Sequence, residues 1–162
     1  MTAESPGYQL GLLLDKASPN WSALAKAGDR SPSHQILSQV IALLGESTEE
    51  IEYISAKIDD TSVQLADVQA EIVIFTTDLI LRSKLVKGAA PILNVTRRDT
   101  IVGIDVRSAP VVTFQTVRLP LEVTVHYQFF SLDLPFITNY NGGIRFEEFF
   151  PRLVADLNTS GN

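Results

Sequence analysis

Apolar and polar residues alternate with three different rhythms along the chain. From Ser31 to Gly45, Ile36, Leu37, Val40, Ile41 and Leu44 recur at helical spacing and form one stripe. Ser31 suits a cap, Pro32 the first helical position, and Gly45 a left-handed stop. After Glu46 the period drops to two. Glu52, Ile54, Ala56 and Ile58 alternate with Ile51, Tyr53, Ser55 and Lys57, which predicts a half-buried strand. Further strands are expected at Ala70–Thr76, Leu79–Val86, Pro91–Thr96, Ile101–Arg107, Val111–Val117 and Leu121–Phe129. β-Branched and aromatic residues dominate these segments, and Thr77-Asp78, Gly88, Arg98-Asp99, Ala109-Pro110 and Leu119-Pro120 separate them. Such short connections favour an antiparallel meander over parallel crossovers. Past Asn141-Gly142-Gly143 the helical period returns. Phe146, Phe149, Phe150, Leu153, Val154 and Leu157 make an aromatic-heavy amphipathic face, and a start near Glu147 would leave Pro151 close to the first turn.

The first thirty residues, rich in Gly, Pro, Ser and Ala, read as an arm with one short helix near Trp21–Lys26, pinned to the body by Trp21. The organisation expected is therefore an N-terminal arm over 1–30, an extra helix over 31–46, and a β-rich domain over 47–158 that closes on the C-terminal helix.

At 162 residues the chain fits one domain able to bury a core without staples. It has no cysteine, which removes disulfide scaffolds, thiol nucleophiles and cysteine zinc sites. The stretch Leu10–Leu14 is too short for a secretory signal and no cation precedes it. No uncharged run reaches the ~18 residues of a membrane span. The Asn-x-Ser/Thr triplets at Asn20, Asn94 and Asn158 carry no weight without a secretion signal. A cytoplasmic location is the expectation. A net charge of −6 argues against bulk nucleic acid as partner. The charge is uneven, however. Between Leu79 and Arg118 seven cations face two carboxylates, a net +5 against −11 for the remainder.

The consecutive strands EIVIFTTDLILRSKLV, the segment NVTRRDTIVGIDV and the closing IRFEEFFPRLVADL together resemble a bacterial pleckstrin-homology-like (PH-like) domain, over roughly Glu50–Leu157. The resemblance implies a mainly β, α+β fold: an antiparallel barrel or roll of about seven strands, plugged at one end by the C-terminal helix. It also implies where an anionic headgroup would bind. Arg82, Lys84 and Lys87 carry that role over, with Arg97 and Arg98 as helpers. The first strand departs from the lipid-binding pattern, since it offers only Lys57 among acidic neighbours.

Read from the residues alone, Arg82 and Lys84 share one strand face, where cations also protect a sheet from edge pairing. His34 and His126 are far apart and show no metal-ligand spacing. Asp59-Asp60 sits in turn chemistry, with the two side chains on opposite faces. Gly142-Gly143 lacks the Lys-Ser or Lys-Thr of a phosphate loop, and no nucleophile elbow is present. No enzyme class and no cofactor is indicated. The leading expectation is a non-catalytic module that binds another protein or itself. The alternative is an anionic lipid headgroup or small acidic ligand on the basic strip. An enzyme or carrier would need a cavity inside the barrel.

Overall fold

Ala70–Thr76 is buried on both sides, and that sets the layering of the molecule. Ile72 and Ile74 pack into one core with the N-terminal helices, while Val73 and Phe75 pack into a second core on the opposite face. The structure is a computed structural model that describes residues 7–18, 20–25, 32–45, 48–59, 69–86, 89–109, 120–137 and 145–161. Helices α1 (Tyr8–Ala17), α2 (Trp21–Ala25) and α3 (Pro32–Leu44) form one layer. Strands β1 (Ile51–Ile58), β2 (Ala70–Thr76), β3 (Leu79–Leu85) and β4 (Ile92–Arg97) make an antiparallel sheet in that order, and a 3-10 turn, Arg98–Thr100, follows. Strands β5 (Ile101–Ser108), β6 (Glu122–Tyr127) and β7 (Ser131–Leu134) make a second antiparallel sheet, and α4 (Phe146–Thr159) completes the chain.

The fold is thus α+β with two antiparallel sheets of four and three strands. Of the barrel or roll expected of the sequence, these two antiparallel sheets are what the described residues show. Among the described residues no ladder joins the sheets. The approach of β7 to β1 is marked by one side-chain tie, the Phe136 N–H donating to Ser55 Oγ at 2.8 Å. Aromatic packing fills the space between. Phe149 stacks on Tyr53 at 4.8 Å and lies 5.0 Å from Phe75, while Phe146 is 5.5 Å from Tyr53. With Leu153 these α4 residues share one core with Val123, Val125, Leu132 and Leu134 of the second sheet. Phe150 is only half-buried at its margin.

Four local readings need correction. The arm contains α1, whose Leu10 and Leu14 are buried one turn apart. Gly7 opens this helix at φ 87°, a backbone conformation that favours glycine, and a Cβ there would meet the terminal Cδ1 of Ile41 at 2.8 Å. Strand β6 stops at Tyr127, and Phe129 stands in solvent at the turn that leads to the unforeseen β7. Helix α4 begins at Phe146, which places Pro151 in its second turn. Both Pro151 and Glu147, whose carbonyl loses its helical donor, are exposed, so water can serve that oxygen. A bulge between Ile51 and Tyr53 breaks the expected alternation of β1. It turns Glu52 to the same side as Tyr53, toward α4. The expected strand Val111–Val117, and Ser31 as a cap, lie outside the described residues.

Other expectations are met. Trp21 is 3% exposed and sits in the first core. The α3 stripe packs inward through Ile36 and Val40, and Gly45 ends the helix at φ 72° with its N–H donating to Ile41 O. No helix among the described residues is long and apolar enough to cross a membrane.

Candidate functional site

The basic strip disperses in space. Arg82 and Lys84 do lie on one face of β3, the side facing the second core. Arg82, half-buried there, donates through Nε and Nη2 to Glu71 Oε1 at 2.8 and 2.6 Å, and its guanidinium lies 5.7 Å from the Phe130 ring centroid. Arg82 therefore ties the first sheet to the β6–β7 hairpin. Lys84 is exposed opposite Ile92. Arg97 points into solvent and pairs with Asp99, two residues on. Lys87 lies outside the described residues.

Arg98 has a different environment. Only 4% of it is exposed, so its guanidinium is largely covered by the chain. It donates to Glu52, to Asp156 Oδ2 at 2.9 Å and to the Thr76 carbonyl at 2.6 Å, and it lies 5.5 Å from the Phe149 ring centroid. Glu52 also receives Arg152 of α4. Burial alone would lower the Arg98 pKa, but hydrogen bonds and charge from Glu52 and Asp156 outweigh it and hold the pKa above its usual value. Asp156 responds the other way to the same contact. Burial raises its pKa, Arg98 only partly offsets this, and the nearby Glu52 charge adds to it. Arg98 is shared with Glu52, and its attraction does not offset the burial of Asp156. The assembly bolts α4 to the β2–β3 turn and to the bulge of β1.

Arg97 and Arg98 border a polar cleft of about 590 Å³, but Asp78, Asp99 and Asp156 border it too. Three carboxylates against two cations do not favour an anion there. Among the described residues no group of three or more His, Cys, Asp or Glu side chains could hold a metal ion.

His126 makes a contact that its sequence position does not disclose. On the outer face of the second sheet its Nδ1 lies 2.8 Å from Ser131 Oγ and its Nε2 2.7 Å from Asp105 Oδ2. The chain of contacts crosses β5, β6 and β7. The Asp105 side chain is 73% exposed, so the imidazole lacks the buried, fixed carboxylate that orients a catalytic histidine. Its geometry serves as a cross-strand tie.

A further surface is apolar. Where α3 passes the start of β4, Ala42, Leu43, Pro91, Ile92, Leu93 and Gln39 line a groove of about 460 Å³. Gln39 Nε2 donates to the Pro91 carbonyl at 2.8 Å, while its Oε1 is buried and accepts no hydrogen bond. Ile92 is 66% exposed, with Leu43 and Val95 also open to solvent. Neither α3 nor the stretch 89–96 carries a formal charge. Sequence periodicity showed the inward stripe of α3. It could not show this outer surface, because the groove forms only when helix and strand, separated by about fifty residues, come together.

No protein-family model matches the chain, and neither a curated protein nor a solved structure matches it significantly.

Proposed function

We propose that the chain is a non-catalytic interaction module of PH-like architecture that binds an extended protein segment along β4 and the groove beside α3. The four-plus-three antiparallel strand order, ending in an aromatic helix wedged between the sheets, supports the architectural part. The observation that carries the binding part is a strand edge, unpaired among the described residues, next to exposed apolar side chains. Strand addition supplies main-chain hydrogen bonds, and a neighbouring pocket takes alternate side chains of the guest. Binding of an anionic headgroup on the basic strip is the weaker reading, since Arg82, Arg97 and Arg98 already neutralise carboxylates of the chain itself.

Random decapeptides displayed on phage and selected against the immobilised chain test the reading. Amide shift changes in labelled protein then locate the bound peptide. Changes concentrated at 91–97 and 35–43 are expected. Failure to select any peptide overturns the proposal. So does binding that maps to Arg82 and Lys84 and is competed by inorganic phosphate.

A further inference from the structure

Four strands form the described edges of the two sheets, and three of them are guarded in ways that discourage pairing. Strand β1 has a bulge, charged Glu52 and Lys57, and acidic Glu49 and Glu50 just before it. Strand β5 carries two register shifts as well as Asp105 and Arg107. Strand β7 is only four residues long and ends at a proline. Strand β4 differs from all three. It pairs with β3 without a register shift, it has no charge before Arg97, and it leaves Ile92 and Val95 exposed. Such an edge aggregates unless it has a specific partner.

We infer that this partner is a second copy of the chain, with β4 pairing antiparallel to β4 about a twofold axis near Asn94 to give one continuous eight-stranded sheet. The inference rests on the interaction-module reading and names its occupant. Two arguments select a second copy. An antiparallel edge is self-complementary under twofold symmetry, so one surface supplies both halves of the interface. Charge acts in the same direction. Each copy carries −6, so two copies repel over most of their surfaces, whereas α3 and 89–96 hold no charged residue and the flanking strand adds Lys84. Centred on Asn94, the pairing brings Val95 of each copy beside Leu93 of the other on the α3 side, next to the groove. The two Arg97 side chains fall at opposite ends of the ribbon, about 20 Å apart at the ordinary strand rise, and do not oppose each other.

Sedimentation velocity of the full chain over a wide concentration range tests this, beside an Ile92→Lys/Val95→Lys variant. A monomer has a mass of 17.8 kDa. The wild type is expected to reach twice that mass, with association strengthened by salt because screening relieves the net repulsion. The variant is expected to raise the dissociation constant by about 100-fold or more, since lysines from both copies crowd one ribbon. Because both positions are exposed, the variant should keep the wild-type circular dichroism and melting profile. Should it not, protection of the 92–97 amides from hydrogen exchange in wild type, measured at high and low concentration, gives the same answer. A wild type that stays monomeric at every concentration overturns the second copy, as does a dimer that survives both lysines or shows no concentration-dependent protection in β4. Peptide selection at the groove stands or falls separately, so the two failures can be told apart.

Discussion

Replacing Arg98 tests the packing logic of the whole domain, because this one side chain joins β1, the β2–β3 turn and α4. Arg98→Met keeps the apolar stem against Phe149 but strips Glu52, Asp156 and the Thr76 carbonyl of a shared donor. Breaking a buried charge cluster from one side costs about 3–5 kcal/mol, mostly the penalty of leaving the other charges unpaired. The lower end applies here. Glu52 and Asp156 keep 15% and 22% of their side-chain surface, and Glu52 retains Arg152. Urea unfolding followed by Trp21, the single tryptophan and buried in the first core, supplies the assay. At an m-value of about 2 kcal/mol/M, a loss of ~3 kcal/mol lowers the midpoint by about 1.5 M. The triple variant Arg98→Met/Glu52→Gln/Asp156→Asn removes the orphaned charges as well and is expected to recover at least half of that loss. A single variant within about 0.3 M of wild type would refute the buried-cluster account. So would a triple variant no more stable than the single one, since the cost would then lie in lost packing and not in unpaired charge.

Two further outcomes follow from the same core. Asp156 has a raised pKa in the folded protein, so its titration favours folding fully at pH below the ordinary carboxylate value of 3.8, and that contribution is lost as pH rises through the folded value. The stability difference between wild type and Asp156→Asn, from urea midpoints across the acid range, should therefore shift against wild type as pH increases; a difference that moves the other way contradicts the desolvation argument. Phe149→Ala removes a fully buried ring stacked on Tyr53 and is expected to cost about 3–5 kcal/mol, whereas Phe150→Ala at the margin costs about 1 kcal/mol. Equal losses at the two positions in chemical denaturation would mean that α4 is not the wedge between the sheets.

Much of the strand plan was legible because period-two alternation reports burial directly. Val123, Val125 and Tyr127 alternate inward with polar Thr124 and His126 outward, and β6 follows. The terminal helix was equally clear, since Phe146, Phe149 and Leu153 share one face at any plausible start. Helix α1 was obscured by Gly11 within a short run, and its stability comes from Leu10 and Leu14 packing into the first core, a tertiary contact that propensity does not contain. Strand β7 has four residues, too few for a periodic signal, and is held by pairing with β6. Barrel closure was unreadable for a related reason. Alternation gives the face of a residue, not which strand edge it meets.

The basic strip shows how a property of the sequence can vanish in space. Its net +5 invited a search for an anion site. The cations at Arg82, Arg98 and Arg107 instead pair with Glu71, Glu52, Asp156 and Asp133, all from outside the strip. The excess along the chain becomes neutralisation across the fold, because strands distant in sequence are neighbours in the sheets and core. What remains distinctive about that segment is the portion with no charge, 89–96. A strand that needed only solubility would be bulged, charged or short there, as the other described edges are. Its uncharged, regular edge is suited to being covered, and an acidic molecule meets a copy of itself most easily on the face where neither carries charge.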